Sequence, residues 1–263
     1  RPPGRSLMPD WLIPGVTAVL AFAVAIALLD QWRERRRSFQ LAWAVGMGLF
    51  GIGSASEAIA GASGWSEPLY RTWYLAGAVL TPAWLGLGTA FLLSRTRFGY
   101  AYAACFFLAG IFTLLTQRRY DYPDAGLSPF LYLIVGIVLA LAVFGETYFQ
   151  NERWARIAAL GVIVGSVAGI AFAALAPLPA PGYVTDPATG QPTAALFPGY
   201  VRLLTPFMNV TGAFSLLFGA LFSAYVFMPK RRVLAYALDP GQPFDQFLFN
   251  LVIGAVAVPV NFV

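Results

Sequence analysis

Residues Ile157 to Ala176 read IAALGVIVGSVAGIAFAALA, an apolar run without charge or proline, bounded by Arg153 and Arg156 before it and by Pro177 after it. At a rise of about 1.5 Å per residue, a helix of this length crosses the roughly 30 Å hydrocarbon core of a bilayer. Six further runs of similar character flank it: Trp11–Leu29, Leu41–Ala60, Tyr70–Leu93, Phe98–Thr116, Pro129–Phe149 and Arg202–Phe227. The predicted fold is an all-α integral membrane protein, a bundle of seven transmembrane helices occupying residues 1–234. Beyond it, in 235–263, a turn at Asp239-Pro240-Gly241-Gln242-Pro243 precedes a shorter apolar stretch, Phe247–Val263, read as an interfacial helix or a partial eighth span. Whether the natural chain extends further is left open.

The composition agrees with this reading. Of 263 residues, 59% are hydrophobic and only 11% charged, where soluble domains carry about a quarter; the mean hydropathy is +0.68. The absence of histidine and the single cysteine exclude a His-ligated haem or zinc, a histidine general base, a cysteine cluster and an intrachain disulfide. The one lysine, Lys230, falls at the edge of the last span, which excludes a retinal Schiff base deep in that helix. Cys105 has no base near it in sequence and reads as a packing residue.

Basic residues are retained on the cytoplasmic side of short loops. Arg33, Arg35, Arg36, Arg37, Arg95, Arg97, Arg153, Arg156 and the Lys230-Arg231-Arg232 run all fall on one side, and the sparser set on the other holds Arg1, Arg5, Arg71, Arg118, Arg119 and Arg202. This predicts an N-terminus outside, in a bacterial cytoplasmic membrane. The net charge of +5 is then mostly topogenic and gives no reason to expect a nucleic-acid partner. Trp11, Trp65, Tyr70, Trp73 and Tyr74 on the outer side, and Trp32, Trp43, Tyr148 and Trp154 on the inner side, read as aromatic belts. The segment Pro177–Val201, rich in proline, is an external connection or a lid, with Tyr183, Phe197 and Tyr200 available to pack on helix ends.

Helices associate in lipid through close approach at small residues. Gly161, Gly165 and Gly169 place such a face on the sixth span, and Ser215, Gly219 and Ser223 place one on the seventh; Gly46, Gly48, Gly51 and Gly53 crowd the second. The partner helix belongs to the same chain or to another subunit. Pro14, Pro82 and Pro206 are expected to bend spans one, three and seven. Leu80-Thr81-Pro82 is echoed by Leu204-Thr205-Pro206, a weak sign of internal repeats of the kind small transporters carry.

A charge within the membrane costs about 2.5–3.5 kcal/mol on insertion scales, so each one is a functional candidate. Glu57 in span two has Arg71 and Arg202 as candidate partners. With Thr205 and Asn209 they form a candidate outer ligand pocket; the alternative is an interfacial ion pair that only locks helices. Asp30 and Glu146 are expected to pair with the inner arginines. No metal site is expected. No resident cofactor is called for either, although a bound lipid, quinone or carotenoid needs neither His nor Lys and stays open.

In topology alone the outside-to-inside plan is similar to the membrane sensor regions of some bacterial histidine kinases, and no motif identifies the chain. The leading expectation is a non-catalytic protein embedded in the lipid bilayer that acts through other membrane subunits or a homo-oligomer, as a scaffold or sensor-like module. The alternatives are a facilitator or carrier of a small neutral or apolar molecule and, with Glu57, Arg71 and Arg202 as its only foothold, a lipid-modifying enzyme.

Overall fold

A computed structural model describes residues 9–187 and 189–227. The Phe247–Val263 stretch, the turn before it and Lys230 lie outside the described residues. Among the described residues, regular structure is helical apart from one antiparallel bridge, Thr185 to Pro192. Seven helical stretches among the described residues are long and apolar enough to cross a membrane: α1 Leu12–Arg35, α2 Ser38–Ser63, α3 Glu67–Leu92, α4 Gly99–Tyr120, α5 Ser128–Tyr148, α6 Trp154–Leu175 and a last one over Gly199–Ala224. This last stretch opens with a single turn, Gly199–Arg202, and continues as α7, Leu204–Phe227. The architecture fits a membrane-embedded helix bundle.

The helices overrun the apolar runs where polar residues serve their ends. Helix α1 continues to Arg35 because Arg33 and Arg35 sit favourably against the negative end of its dipole, and it stops at Arg36 in the left-handed conformation (φ 53°). Asp121 ends α4 in the same way (φ 45°), its N–H returning to the Gln117 carbonyl at 2.8 Å. Helix α6 ends just short of Pro177, which disfavours α geometry in the residue before it.

One of the three expected proline bends is corrected. Pro14 sits in the first turn of α1, where the missing N–H has no intrahelical acceptor to serve, whereas Pro206 follows an interruption of the last stretch at Leu203, between the Gly199–Arg202 turn and α7. Pro82 lies deep inside its helical stretch. Helix α3 accommodates it by widening to a π-helix over Tyr74–Leu80. Thr81 turns both its N–H and its hydroxyl back to the Ala76 carbonyl, the latter at 2.7 Å. The sequence echo therefore joins two prolines with different local roles.

Helix α3 is the hub. It packs against α2, α6 and α7, whereas α1 rests on α2 and on little else; 61% of the α3 apolar window is buried against 11% of that of α1. The closest backbone crossing joins α3 and α7: a Cβ on Gly212 would lie 2.0 Å from the Pro82 carbonyl oxygen, and one on Gly86 would lie 2.6 Å from Gly212 Cα. Beside it, Ser215 Oγ donates to the Gly86 carbonyl at 2.8 Å, and Gly219 meets the Thr89 side chain. Ser223 is partly exposed. Gly53 with Gly77 and Gly110 with Gly136 make further tight crossings, α2 on α3 and α4 on α5.

The Gly161, Gly165 and Gly169 face is filled from within the chain: Phe106 and Leu139 seat on Gly161, the Met208 sulfur on Gly165, and Leu204, Leu75 and Val79 on Gly169. The aromatic belts are also thinner than expected. Tyr70, Tyr74 and Trp154 are at most 1% exposed, and the Trp154 indole donates to the Ser94 carbonyl at 3.0 Å, tying α6 to the end of α3.

Two glycines test this packing. Gly212→Ala puts a methyl against an immovable carbonyl and is expected to cost about 3 kcal/mol or more. Gly48→Ala, with open space around its Cβ position, is expected to stay within about 0.5 kcal/mol of wild type. Thermal melting of the two purified variants in one detergent checks the contrast; equal melting would refute the crossing.

Candidate functional site

The predicted polar residues gather at the end of the bundle that carries the 177–201 connection, but they do not converge on one pocket. Glu57, half-buried on α2, accepts a 2.8 Å hydrogen bond from the Trp73 indole of α3. Among the described residues it forms no ion pair. Arg71, the expected partner, is committed elsewhere. Its guanidinium forms a 2.7 Å ion pair with Glu67 one turn back, and donates to the carbonyls of Ala173, Ala174 and Ala176 at the C-terminus of α6. The last carbonyls of a helix lack internal donors and carry partial negative charge, so an arginine there satisfies both needs. Arg202 lies over the Tyr122 ring, its guanidinium carbon 4.2 Å from the centroid, an attraction of charge to π-face. Burial raises the Tyr122 hydroxyl pKa above its ordinary value, and the Arg202 charge partly offsets that.

Thr205 reaches α3. Its hydroxyl lies 2.6 Å from the Tyr74 hydroxyl, which is also 3.2 Å from the Val201 carbonyl. Asn209, one turn along α7, is 8% exposed, and its Oδ1 accepts no hydrogen bond.

What organises this end is the 177–201 segment. Its first part forms a small hairpin: Thr193 N–H bonds the Val184 carbonyl and Asp186 N–H the Gln191 carbonyl. Its second part inserts Phe197 between two tyrosines of α3, the ring centroids 5.3 Å from Tyr70 and 4.1 Å from Tyr74, both stacked. The Tyr70 hydroxyl donates to the Thr193 carbonyl, and Tyr132 of α5 reaches the Tyr200 carbonyl at 3.0 Å. Each tyrosine thus buries an apolar ring while its hydroxyl supplies a loop carbonyl with the donor that lipid cannot give. The connection is a seal over the helix ends. No family model, curated protein or solved structure matches this chain.

Sequence reasoning found Phe197 as a packing group but not its tyrosine partners, which it assigned to the belt. At the other end, Asp30 is exposed and Glu146 has a buried Oε2 without a hydrogen-bond partner; the ion pair formed there joins Arg95 to Glu152 at 3.4 Å, among the described residues. An open cleft of about 410 Å³ lies at the α2–α3 turn, lined by Ile59, Ser63, Trp65, Pro68, Leu69 and Thr72. Neither Glu57 nor Arg202 borders it.

Two substitutions separate a fold-holding arginine from a pairing carboxylate. Arg71→Met leaves three helix-end carbonyls and Glu67 without their donor, and is expected to cost about 2 kcal/mol. Glu57→Gln keeps an acceptor for the Trp73 indole and removes a half-buried charge, so it is expected to melt at or above wild type. A Glu57→Gln loss as large as that of Arg71→Met would show that Glu57 has a cationic partner.

Proposed function

We propose that this chain is a non-catalytic multipass membrane protein that acts through partners, as a subunit or scaffold of a larger membrane complex or as a sensor-like module. We place it N-terminus outward in a bacterial cytoplasmic membrane. The observation that supports this reading is the use made of Arg71, Arg202 and Thr205. The first closes the end of α6, the second lies over a tyrosine ring and the third joins α7 to α3. Three of the five residues that gave the ligand-binding reading its foothold, among them both arginines of the enzymatic reading, are thus engaged in holding helices and loop together.

The contrast between α3 and α1 points to where a partner would sit. Helix α3 is enclosed by its own chain, while α1 turns a broad apolar side away from α2, with Ile13, Val16, Val19, Leu20 and Ile26 all more than half exposed. A single helix held along one side is the part of this bundle best placed to make a second helix–helix interface.

Photo-crosslinking in native membranes tests the reading. With a photoreactive amino acid at Val19, a discrete protein adduct is expected, either another chain or a doubled mass from a homo-oligomer, together with a stoichiometric particle in native mass spectrometry. At Leu141, a lipid-facing position on α5 (66% exposed), lipid adducts are expected. Lipid adducts alone at both positions, with a monomeric particle, would overturn the proposal.

A further inference from the structure

The arginines at the two ends of the bundle are used differently. At the end that carries the 177–201 connection, Arg71 is held by Glu67 and the last carbonyls of α6, while Arg119 and Arg202 lie over tyrosine rings. At the opposite end Arg33, Arg35, Arg36 and Arg37 fall together, across the last turn of α1 and the short connection to α2. All four are exposed. Among the described residues none of them forms an ion pair, and the nearby acids Asp30 and Glu34, also exposed, form none either.

The turn fixes where these charges stand. Arg36 takes the left-handed conformation (φ 53°) that ends α1, and its guanidinium carbon lies over the Trp32 ring, 4.9 Å from the centroid. Gln40, buried in the first turn of α2, brings its Nε2 to 3.4 Å from Gln31 Oε1 of α1, joining the two helices beside the connection. The guanidinium groups are thus crowded at like charge with no paired carboxylate to offset their repulsion. They also stand at the end of an apolar surface. Ile26, 67% exposed, lies seven residues before Arg33, on the same face of α1 and about 10 Å along the axis.

An aliphatic face, then an indole, then guanidinium groups is the order in which a phospholipid presents acyl chain, glycerol and phosphate. Arginine suits the phosphate better than lysine does, because its planar fork donates to two oxygens at once; the basic residues of the described chain are all arginine. Basic clusters of this size beside a membrane helix attract anionic headgroups.

We propose that the α1–α2 connection binds the headgroup phosphate of an anionic phospholipid through Arg33, Arg36 and Arg37, with the acyl chains lying beside Ile26. A choline headgroup neutralises its own phosphate, so net negative charge selects the lipid. The site is independent of the partner-dependent role proposed above and of which side of the membrane this end faces.

The test is native mass spectrometry of the purified full chain from micelles holding phosphatidylglycerol and phosphatidylcholine in equal amounts. Wild type is expected to retain phosphatidylglycerol in preference, with a loss of roughly fivefold in affinity per arginine removed. Arg33→Gln/Arg36→Gln/Arg37→Gln is expected to lose the preference, and Arg118→Gln, exposed at the other end, to keep it. Phosphatidylglycerol is also expected to raise the wild-type Tm above its value in phosphatidylcholine, and to do so less at high salt. Equal retention of the two lipids overturns the proposal, as does a preference that survives in the triple variant. Inorganic phosphate that raises Tm as much as phosphatidylglycerol at equal concentration would reveal a site for a free ion and overturn the lipid assignment. Should the triple variant not fold, a wild-type Tm increment that high salt leaves unchanged has the same force.

Discussion

The contact between the Pro82 carbonyl and the α-carbon side of Gly212 is the constraint around which the rest of the bundle is arranged. Lipid competes with any apolar side chain, so two helices in a membrane gain most from a surface that brings backbones together. Gly86 and Gly212 provide it at one level, and Ser215, bonded to the Gly86 carbonyl, secures it on the next turn. Once α3 and α7 are set in parallel at this distance, the sites on either side follow. Gly53 brings α2 onto Gly77, and the Trp84 indole reaches Ser166 of α6 at 3.0 Å. Above the crossing, Tyr74 finds Thr205.

The same constraint explains why α3 is irregular where it is. A proline at position 82 exposes carbonyls one turn earlier, and a straight α-helix would leave them facing an apolar interior. The π segment redistributes the hydrogen bonds, with Thr81 supplying two donors to one carbonyl.

The seven long apolar helices of the described residues were legible because length and apolar character are properties of a single helix, readable along one dimension. The rotation of each helix and its neighbours were not. Gly161, Gly165 and Gly169 form the clearer periodic signal, yet the closest approaches are made by glycines that stand singly on facing helices, such as Gly86 and Gly212; a close crossing needs one facing pair and no repeat. Arg71 was assigned to Glu57 because both were placed at the outer level, whereas the end of α6 offers three carbonyls at once. Tyr74 and Trp154 resemble belt residues by position, and only their orientation into the bundle makes them locks between helices. The π segment had a visible signal in Thr81-Pro82 within an apolar run, which read as a bend.

The seal at the 177–201 end also divides the chain in a useful place. The hairpin closed by the Thr185–Pro192 bridge exposes Pro187, Thr189, Gly190 and Gln191, while Phe197, Val201 and Thr205 all hold to Tyr74 on the far side of it. A polypeptide cut at that tip would separate six of the seven long apolar helices of the described residues from the last one. The second piece would carry its own docking plug, so the two halves have what they need to find each other when made as separate chains.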